Sequence, residues 1–264
     1  MRRPKTFNIE ILSPKQNVDD LEAALRVFAE KYEQALTAGY GICIPDNPLG
    51  KLAFHGVELI EELSLPAAEG QVSLHLNTFH SFSDFHSILQ RTANLGIDDV
   101  LAISGDGSQR LPKLRGRDLG IEVESVTSVE LVEYIRREFP GVFKVGVAYN
   151  PYEPEADEWE KLERKLAAGA EYITTQPIID DHPHLTRLLD LGVEVVIEAW
   201  MSKKLHLLSD CVGYEISPEK PYDPVGNLRT LMKRYPQCDY YLAILGFKTQ
   251  FPILPGLLNN EALT

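Results

Sequence analysis

Along this chain, short β-branched or apolar runs alternate with longer stretches in which apolar residues recur every three or four positions, with polar turns between them. Short apolar runs bounded by turn residues predict strands, and a recurrence near 3.6 predicts helices. Eight strands are expected: Phe7 to Leu12, Tyr40 to Ile44, Val72 to Leu76, Asp99 to Ile103, Phe143 to Ala148, Tyr172 to Thr175, Glu194 to Ile197 and Tyr240 to Leu245. Helices are expected over Val18 to Ala38, Gly56 to Leu63, Ser83 to Leu95, Ser128 to Glu138, Glu155 to Ala168, His184 to Leu189 and Val225 to Arg234. Asn17 or Asp19 is placed to cap the first long helix, Ser83 the third and Ser128 the fourth. Gly96 and Gly192 fall where a helix hands over to a strand.

Repeated βα units build either a closed parallel barrel or an open doubly wound sheet. Eight units in 264 residues favour closure, because one such barrel needs about 250 residues. The expected fold is therefore a single α/β domain over residues 1–264, a (β/α)8 TIM barrel with parallel strands. The longest irregular connection, Asp106 to Val126, follows the fourth strand and is rich in Gly, Arg and Lys. A loop of that length in a compact domain usually serves function.

Composition narrows the partners. A hydrophobic fraction of 44% and a charged fraction of 25% suit a protein that buries a full core. The formal charge of −13 repels nucleic acid and anionic membranes over most of the surface, while leaving room for a local basic pocket that takes an anionic cofactor. Cys43, Cys211 and Cys238 are too widely spaced for a CxxC pair and odd in number, so neither a zinc site nor a disulfide framework is expected. The start, Met1 to Lys5, is basic but leads into no apolar stretch of about 7 to 15 residues, so a cytoplasmic protein without a signal peptide is expected.

In a closed barrel the chemistry sits at the carboxyl ends of the strands. The polar residues expected there are Glu10, Asp46, Asn47, His75, Gly105, Asp106, Tyr149, Asn150, Gln176, Glu198 and Lys248. Alternation puts Glu10 with Asn8 and opposite Ile9 and Ile11, hence inside the barrel. A carboxyl there is partly desolvated and becomes a proton donor near neutral pH, unless a buried Arg or Lys pairs with it. Gly105 before Asp106 lets backbone approach a ligand, although Gly-Asp is also a common turn. His75 has no HxH or HExxH companion and reads more simply as a hydrogen-bonded barrel residue than as a metal ligand. His182 and His184 read as solvated residues at a helix start, and Arg164 with Lys165 as either phosphate ligands or a charged helix face. The amide of Gln176 can donate and accept at once, as a fused heterocycle requires. Neither GxGxxG nor a Walker loop is present.

Several of these segments, taken in order, resemble the methylenetetrahydrofolate reductase family. Ile9-Glu10-Ile11-Leu12-Ser13-Pro14 is similar to its opening strand, and Ile44-Pro45-Asp46-Asn47-Pro48 to the Thr-Asp-Asn-Pro form of one branch. His75-Leu76-Asn77-Thr78 is a loose version of the His-Leu/Val-Thr-Cys segment, and the run Val100 to Asp106 follows Leu-Ala-Leu-Thr/Arg-Gly-Asp. Ala148-Tyr149 with Pro154-Glu155, then Arg164-Lys165 with Ala168-Gly169-Ala170 and Thr174-Thr175-Gln176, match the later motifs.

The resemblance implies an oxidoreductase that passes hydride from NAD(P)H, through FAD, to 5,10-methylenetetrahydrofolate. It makes Glu10 and Asp106 catalytic, and gives Gln176, Asp46 and Asn47 to the folate. His75, Gly105, Ala148, Tyr149, Arg164 and Lys165 go to the flavin. Glu153 stands where many members have a flavin-contacting histidine, Lys161 where they have asparagine and Ser104 where some have arginine. An acidic Glu153 repels a diphosphate, which leaves FMN, a partner-supplied flavin or flavin-free reduction as alternatives. The alternatives of another class are a pterin-binding barrel that exchanges a methyl group with a corrinoid partner, and a non-catalytic folate-binding subunit. A homo-oligomer or a methyltransferase partner is compatible with each.

Overall fold

The computed structural model of the chain describes residues 6–67, 70–107, 111–217 and 222–259. Met1 to Lys5, on which the absence of a signal peptide was argued, lies outside them, as do residues 108–110 of the long loop.

Eight parallel strands close into one barrel in sequence order: β1 Phe7–Glu10, β2 Gly41–Ile44, β3 Val72–Leu76, β4 Asp99–Ala102, β5 Lys144–Tyr149, β6 Tyr172–Thr175, β7 Glu194–Trp200 and β8 Asp239–Ala243. Around them run α1 Leu21–Thr37, α2 Gly56–Glu62, α3 Phe82–Asn94, α4 Gly116–Leu119, α5 Ser128–Glu138, α6 Glu155–Ala167, α7 Pro183–Asp190, α8 Leu205–Val212, α9 Pro224–Arg234, α10 Phe247–Gln250 and α11 Leu254–Asn259. All eight expected strands and all seven expected helices are present. The apolar period did not reveal α8, and α4, α10 and α11 are too short to establish one. Among the described residues no helix is long and apolar enough to cross a membrane.

The caps shift by one to three residues from their expected positions. Asp20, not Asn17 or Asp19, caps α1 by accepting from the Ala23 amide, Ser81 rather than Ser83 caps α3, and Thr127 rather than Ser128 caps α5. In each case the cap is the last extended residue before the helix, and its side-chain oxygen meets an amide of the first turn. Thr127 and Glu130 complete a capping box. Gly96 and Gly192 take positive φ just after their helices, as expected.

Strand alternation divides the apolar residues into two cores. Ile9, Ile42, Leu74, Val100, Val145, Ile173, Ile197 and Leu242 face outward and pack with the helices. Cys43, Leu101, Tyr172, Val196, Trp200, Tyr241 and Ala243 face inward and, with Leu208 and Val212 of α8, form the second cluster. The amino-terminal end of the lumen is polar: Tyr172 donates to Asp99 at 2.7 Å and Lys144 to Glu194 at 2.8 Å, beside a cavity of about 70 Å³. The Tyr172 ring is accommodated because its register partner is Gly146, where a Cβ would lie 2.0 Å from the ring. Gly146→Ala is expected to overpack the lumen and destabilise the fold by about 1–3 kcal/mol. Urea denaturation checks this, and an unchanged midpoint would show that the ring does not need that space.

Candidate functional site

Glu10 ends β1 and points inward, as alternation requires. Its Oε2 accepts a hydrogen bond from the Tyr241 hydroxyl of β8 at 2.5 Å. Burial pushes its pKa up to about 7, with the Tyr241 hydrogen bond acting in the opposite direction. No ion-pair partner of Glu10 is found among the described residues, so the unpaired, proton-holding carboxyl is the arrangement the lumen contains. Glu198, expected after its strand, lies within it because β7 continues to Trp200, and it faces the lumen in register with Tyr241. Burial, and then the Glu10 charge, raise its pKa well above the carboxylate range.

Cys211 on α8 completes this mouth. Burial pushes its thiol up to about 12, and the charges of Glu198, Glu10, Asp210 and Asp106 add to the shift. Neither Tyr241 nor Cys211 carried a motif. The only sequence signal for Tyr241 is its inward parity in the eighth strand, and Cys211 lies on the helix that periodicity did not reveal.

Asp46 is buried and its polar capacity is used within the protein. Its carboxylate accepts from His80 Nε2 at 2.7 Å, from the Asn77 amide at 2.9 Å and from Asn47 Nδ2 at 3.0 Å. Burial acts to raise its pKa, but His80, the nearby His55 and the Asn77 amide hold it below the ordinary value. Asn47 Oδ1 accepts from the Ala53 amide at 2.9 Å. These two residues therefore fasten the loops after β2 and β3 and leave little for a substrate. His75 lies inside the barrel with its ring centroid 5.8 Å from that of Tyr241. Burial lowers its pKa to about 4, so it is neutral, and its Nε2 is buried without a partner among the described residues.

Gly105 has φ +79, and a Cβ there would come within 2.6 Å of the Asn77 Cβ, so close approach of the β4 loop to the β3 loop requires glycine. Asp106 is exposed at the rim and accepts from the Leu49 amide at 3.0 Å, tying the β4 loop to the β2 loop. Gln176 is half-buried. Its amide N–H donates to the Tyr149 carbonyl at 3.0 Å, and its side chain makes no hydrogen bond among the described residues.

Three of the residues expected to hold a flavin make contacts within the protein. Tyr149 faces the helices, with its hydroxyl 3.0 Å from His184 Nδ1 and its ring against Trp159, because it has outward parity in β5. Lys165 is buried, donates to the Ala148 carbonyl at 2.7 Å and lies 3.6 Å from Glu158. Arg164 lies 3.7 Å from the buried carboxylate of Glu130. Lys165 is thus held between a buried carboxylate and a carbonyl, and a cation so engaged is a poor phosphate ligand, whereas Arg164 stays more than half exposed. His182 does cap a helix, α7, but His184 is half-buried against Tyr149 and not solvated.

The family model described as methylenetetrahydrofolate reductase matches residues 64–197, just over half of the chain. That stretch contains His75, Gly105, Asp106, Tyr149 and Gln176; Glu10 precedes it and Glu198 follows it by one residue. No curated protein matches the chain in sequence. Among solved structures, an uncharacterized protein from Clostridium thermocellum that binds two copies of 5-methyl-5,6,7,8-tetrahydrofolic acid is similar, with 13% identity, a TM-score of 0.61, and coverage of 97% of this chain and 94% of that one. The 7,8-dihydropteroate synthase of Vibrio fischeri ES114 is similar with 12% identity, a TM-score of 0.52, and coverage of 98% and 94%. The dihydropteroate synthase of Xanthomonas albilineans, with 14% identity and a TM-score of 0.52, covers 99% of this chain and 93% of its own. At these identities the likeness is one of fold.

Glu10 makes stability depend on pH. A carboxyl whose pKa is about 7 when folded and 4.5 when unfolded binds its proton more tightly in the folded state. Its contribution is therefore full below the unfolded value and is lost as pH rises through the folded one. Glu10→Gln is expected to stabilise the protein at about pH 8 by up to about 3 kcal/mol and to have little effect at about pH 4. Thermal unfolding at both pH values checks the difference, and equal effects would contradict it.

Proposed function

From a chain that belongs to the methylenetetrahydrofolate reductase family, we infer a protein that binds a folate in the barrel mouth and reduces 5,10-methylenetetrahydrofolate to 5-methyltetrahydrofolate at the expense of NAD(P)H. The observation that carries this reading is the Glu10–Tyr241 pair: a carboxyl that still holds its proton near neutral pH, inside the mouth, with no cation to neutralise it among the described residues. General acid catalysis asks for a proton donor with a pKa near the working pH.

Glu10 gives its proton to N10 of the folate, and the bond between N10 and the methylene carbon breaks. The carbon is left as an iminium on N5, and hydride from the reduced nicotinamide converts it to methyl. Tyr241 stabilises the glutamate anion that proton transfer leaves. Gln176, with its uncommitted amide, takes the polar edge of the pterin, and Asp106 at the rim sets the field over the ring. Because Tyr149 and Lys165 are engaged within the protein, no step here passes through a flavin. The same engagement favours a second reading, a folate-binding subunit that hands its ligand to a methyltransferase or corrinoid partner.

Purified protein is expected to oxidise NADH or NADPH in the presence of 5,10-methylenetetrahydrofolate without added flavin, with Glu10→Gln reducing turnover by about 10²-fold or more. A protein that binds 5-methyltetrahydrofolate but never consumes nicotinamide supports the subunit reading. A protein that binds no folate refutes both. Added FAD is expected to leave both the visible spectrum of the dialysed protein and the rate unchanged; a yellow, faster enzyme would restore the flavin.

A further inference from the structure

Glu198 is not needed by the mechanism above, yet its position is costly. It faces the lumen from β7, in register with Tyr241, while Asn8 pairs with Tyr241 from the other side. Its main chain is satisfied, the amide by Thr175 Oγ1 at 3.2 Å and the carbonyl by the Ile178 amide at 3.0 Å. Its carboxyl has no hydrogen bond or ion pair among the described residues.

The titratable groups that bear on it from the surrounding elements are Glu10, Cys43, Tyr152, Cys211, Tyr222 and Tyr241. None is a cation. The three phenols are committed elsewhere: Tyr241 to Glu10 at 2.5 Å, Tyr152 to the Pro177 carbonyl at 2.6 Å and Tyr222 to the Trp200 carbonyl at 2.7 Å. A carboxylate without donor or cation in a desolvated site is expensive, and the group keeps its proton instead. Independently, the indole N–H of Trp200, two residues further along the same inward face, is buried and has no acceptor among the described residues. Buried donors in folded proteins are nearly always satisfied, so an orphan donor two residues from an unpaired, half-buried carboxyl points to a ligand.

We propose that Glu198 and Trp200 form a recognition edge of the mouth, in which Glu198 works as a protonated carboxyl that gives one hydrogen bond and takes one. Such a group matches a flat heterocycle that offers a donor beside an acceptor, as a lactam or a 2-aminopyrimidine edge does; an ionised carboxylate would require two donors. Trp200 supplies one further donor to the same ring. The assignment rests on the folate reading and extends it by naming the residue that selects the ring. The burial and charge effects on Glu198 described above agree with it.

The test measures 5-methyltetrahydrofolate affinity of the full chain by calorimetry between about pH 6 and 9, together with carbon-13 NMR titration of the glutamate carboxyls in the free protein. Wild type is expected to lose affinity as Glu198 ionises at high pH. Glu198→Gln, which keeps a donor and an acceptor, is expected to bind within about threefold of wild type at neutral pH and to lose the Glu198-dependent part of the alkaline decline. Glu198→Ala is expected to bind about tenfold or more weakly, and Trp200→Phe several-fold more weakly. The inference is overturned if Glu198→Ala binds as wild type does, if the Gln variant is as weak as the Ala variant, or if the Glu198 carboxyl titrates in the ordinary range. A wild-type protein that binds no 5-methyltetrahydrofolate overturns the folate reading and this ligand assignment together. Normal wild-type binding with indifferent Glu198 variants overturns this inference alone.

Discussion

Closure of the sheet between β8 and β1 is the constraint on which the mouth depends. The pairing of Asn8 with Tyr241 fixes the register of the two strands, and the hydroxyl then reaches Glu10 at 2.5 Å. The next pairing, Tyr241 with Glu198, brings a second carboxyl to the same layer. Residues from opposite ends of the chain are therefore neighbours inside the barrel. An open sheet with the same strands would leave Glu10 and Tyr241 on opposite edges, and Glu10 would titrate as an ordinary glutamate.

The lumen is polar at both ends for different reasons. At the amino-terminal end, Asp99, Tyr172, Lys144 and Glu194 contact one another, so charge and hydrogen-bonding capacity are matched inside the protein. At the carboxyl end, Glu198, the Trp200 indole and the Gln176 amide lack such partners among the described residues. Matched groups hold a fold together, whereas unmatched ones are tolerated where something else meets them. The same distinction separates Lys165, engaged by Glu158 and the Ala148 carbonyl, from a lysine available to a phosphate.

Much of the scaffold was legible from local rules. Period-two runs marked the strands, and the parity of Glu10 and Asn8 against Ile9 and Ile11 correctly assigned the inward face of β1. The same parity rule, carried one residue further to Tyr149, places it outward with Val145 and Val147; ending the strand at Ala148 instead put it in the loop at the mouth. Asp46 was assigned to the folate because it follows the second strand and matches the Asp-Asn-Pro motif, while His80 and Asn77, which engage it, arrive from another loop.

By itself, then, the sequence determined the number and direction of the strands, the face on which Glu10 lies and, through ordered motifs, the family, because these depend on near-neighbour sterics and on residue order. Only the tertiary structure decided which of the polar side chains are already satisfied and which remain for a ligand. That property belongs to pairs of residues far apart in the chain: Tyr241 with Glu10, Glu158 with Lys165, and Glu198 with no partner among the described residues.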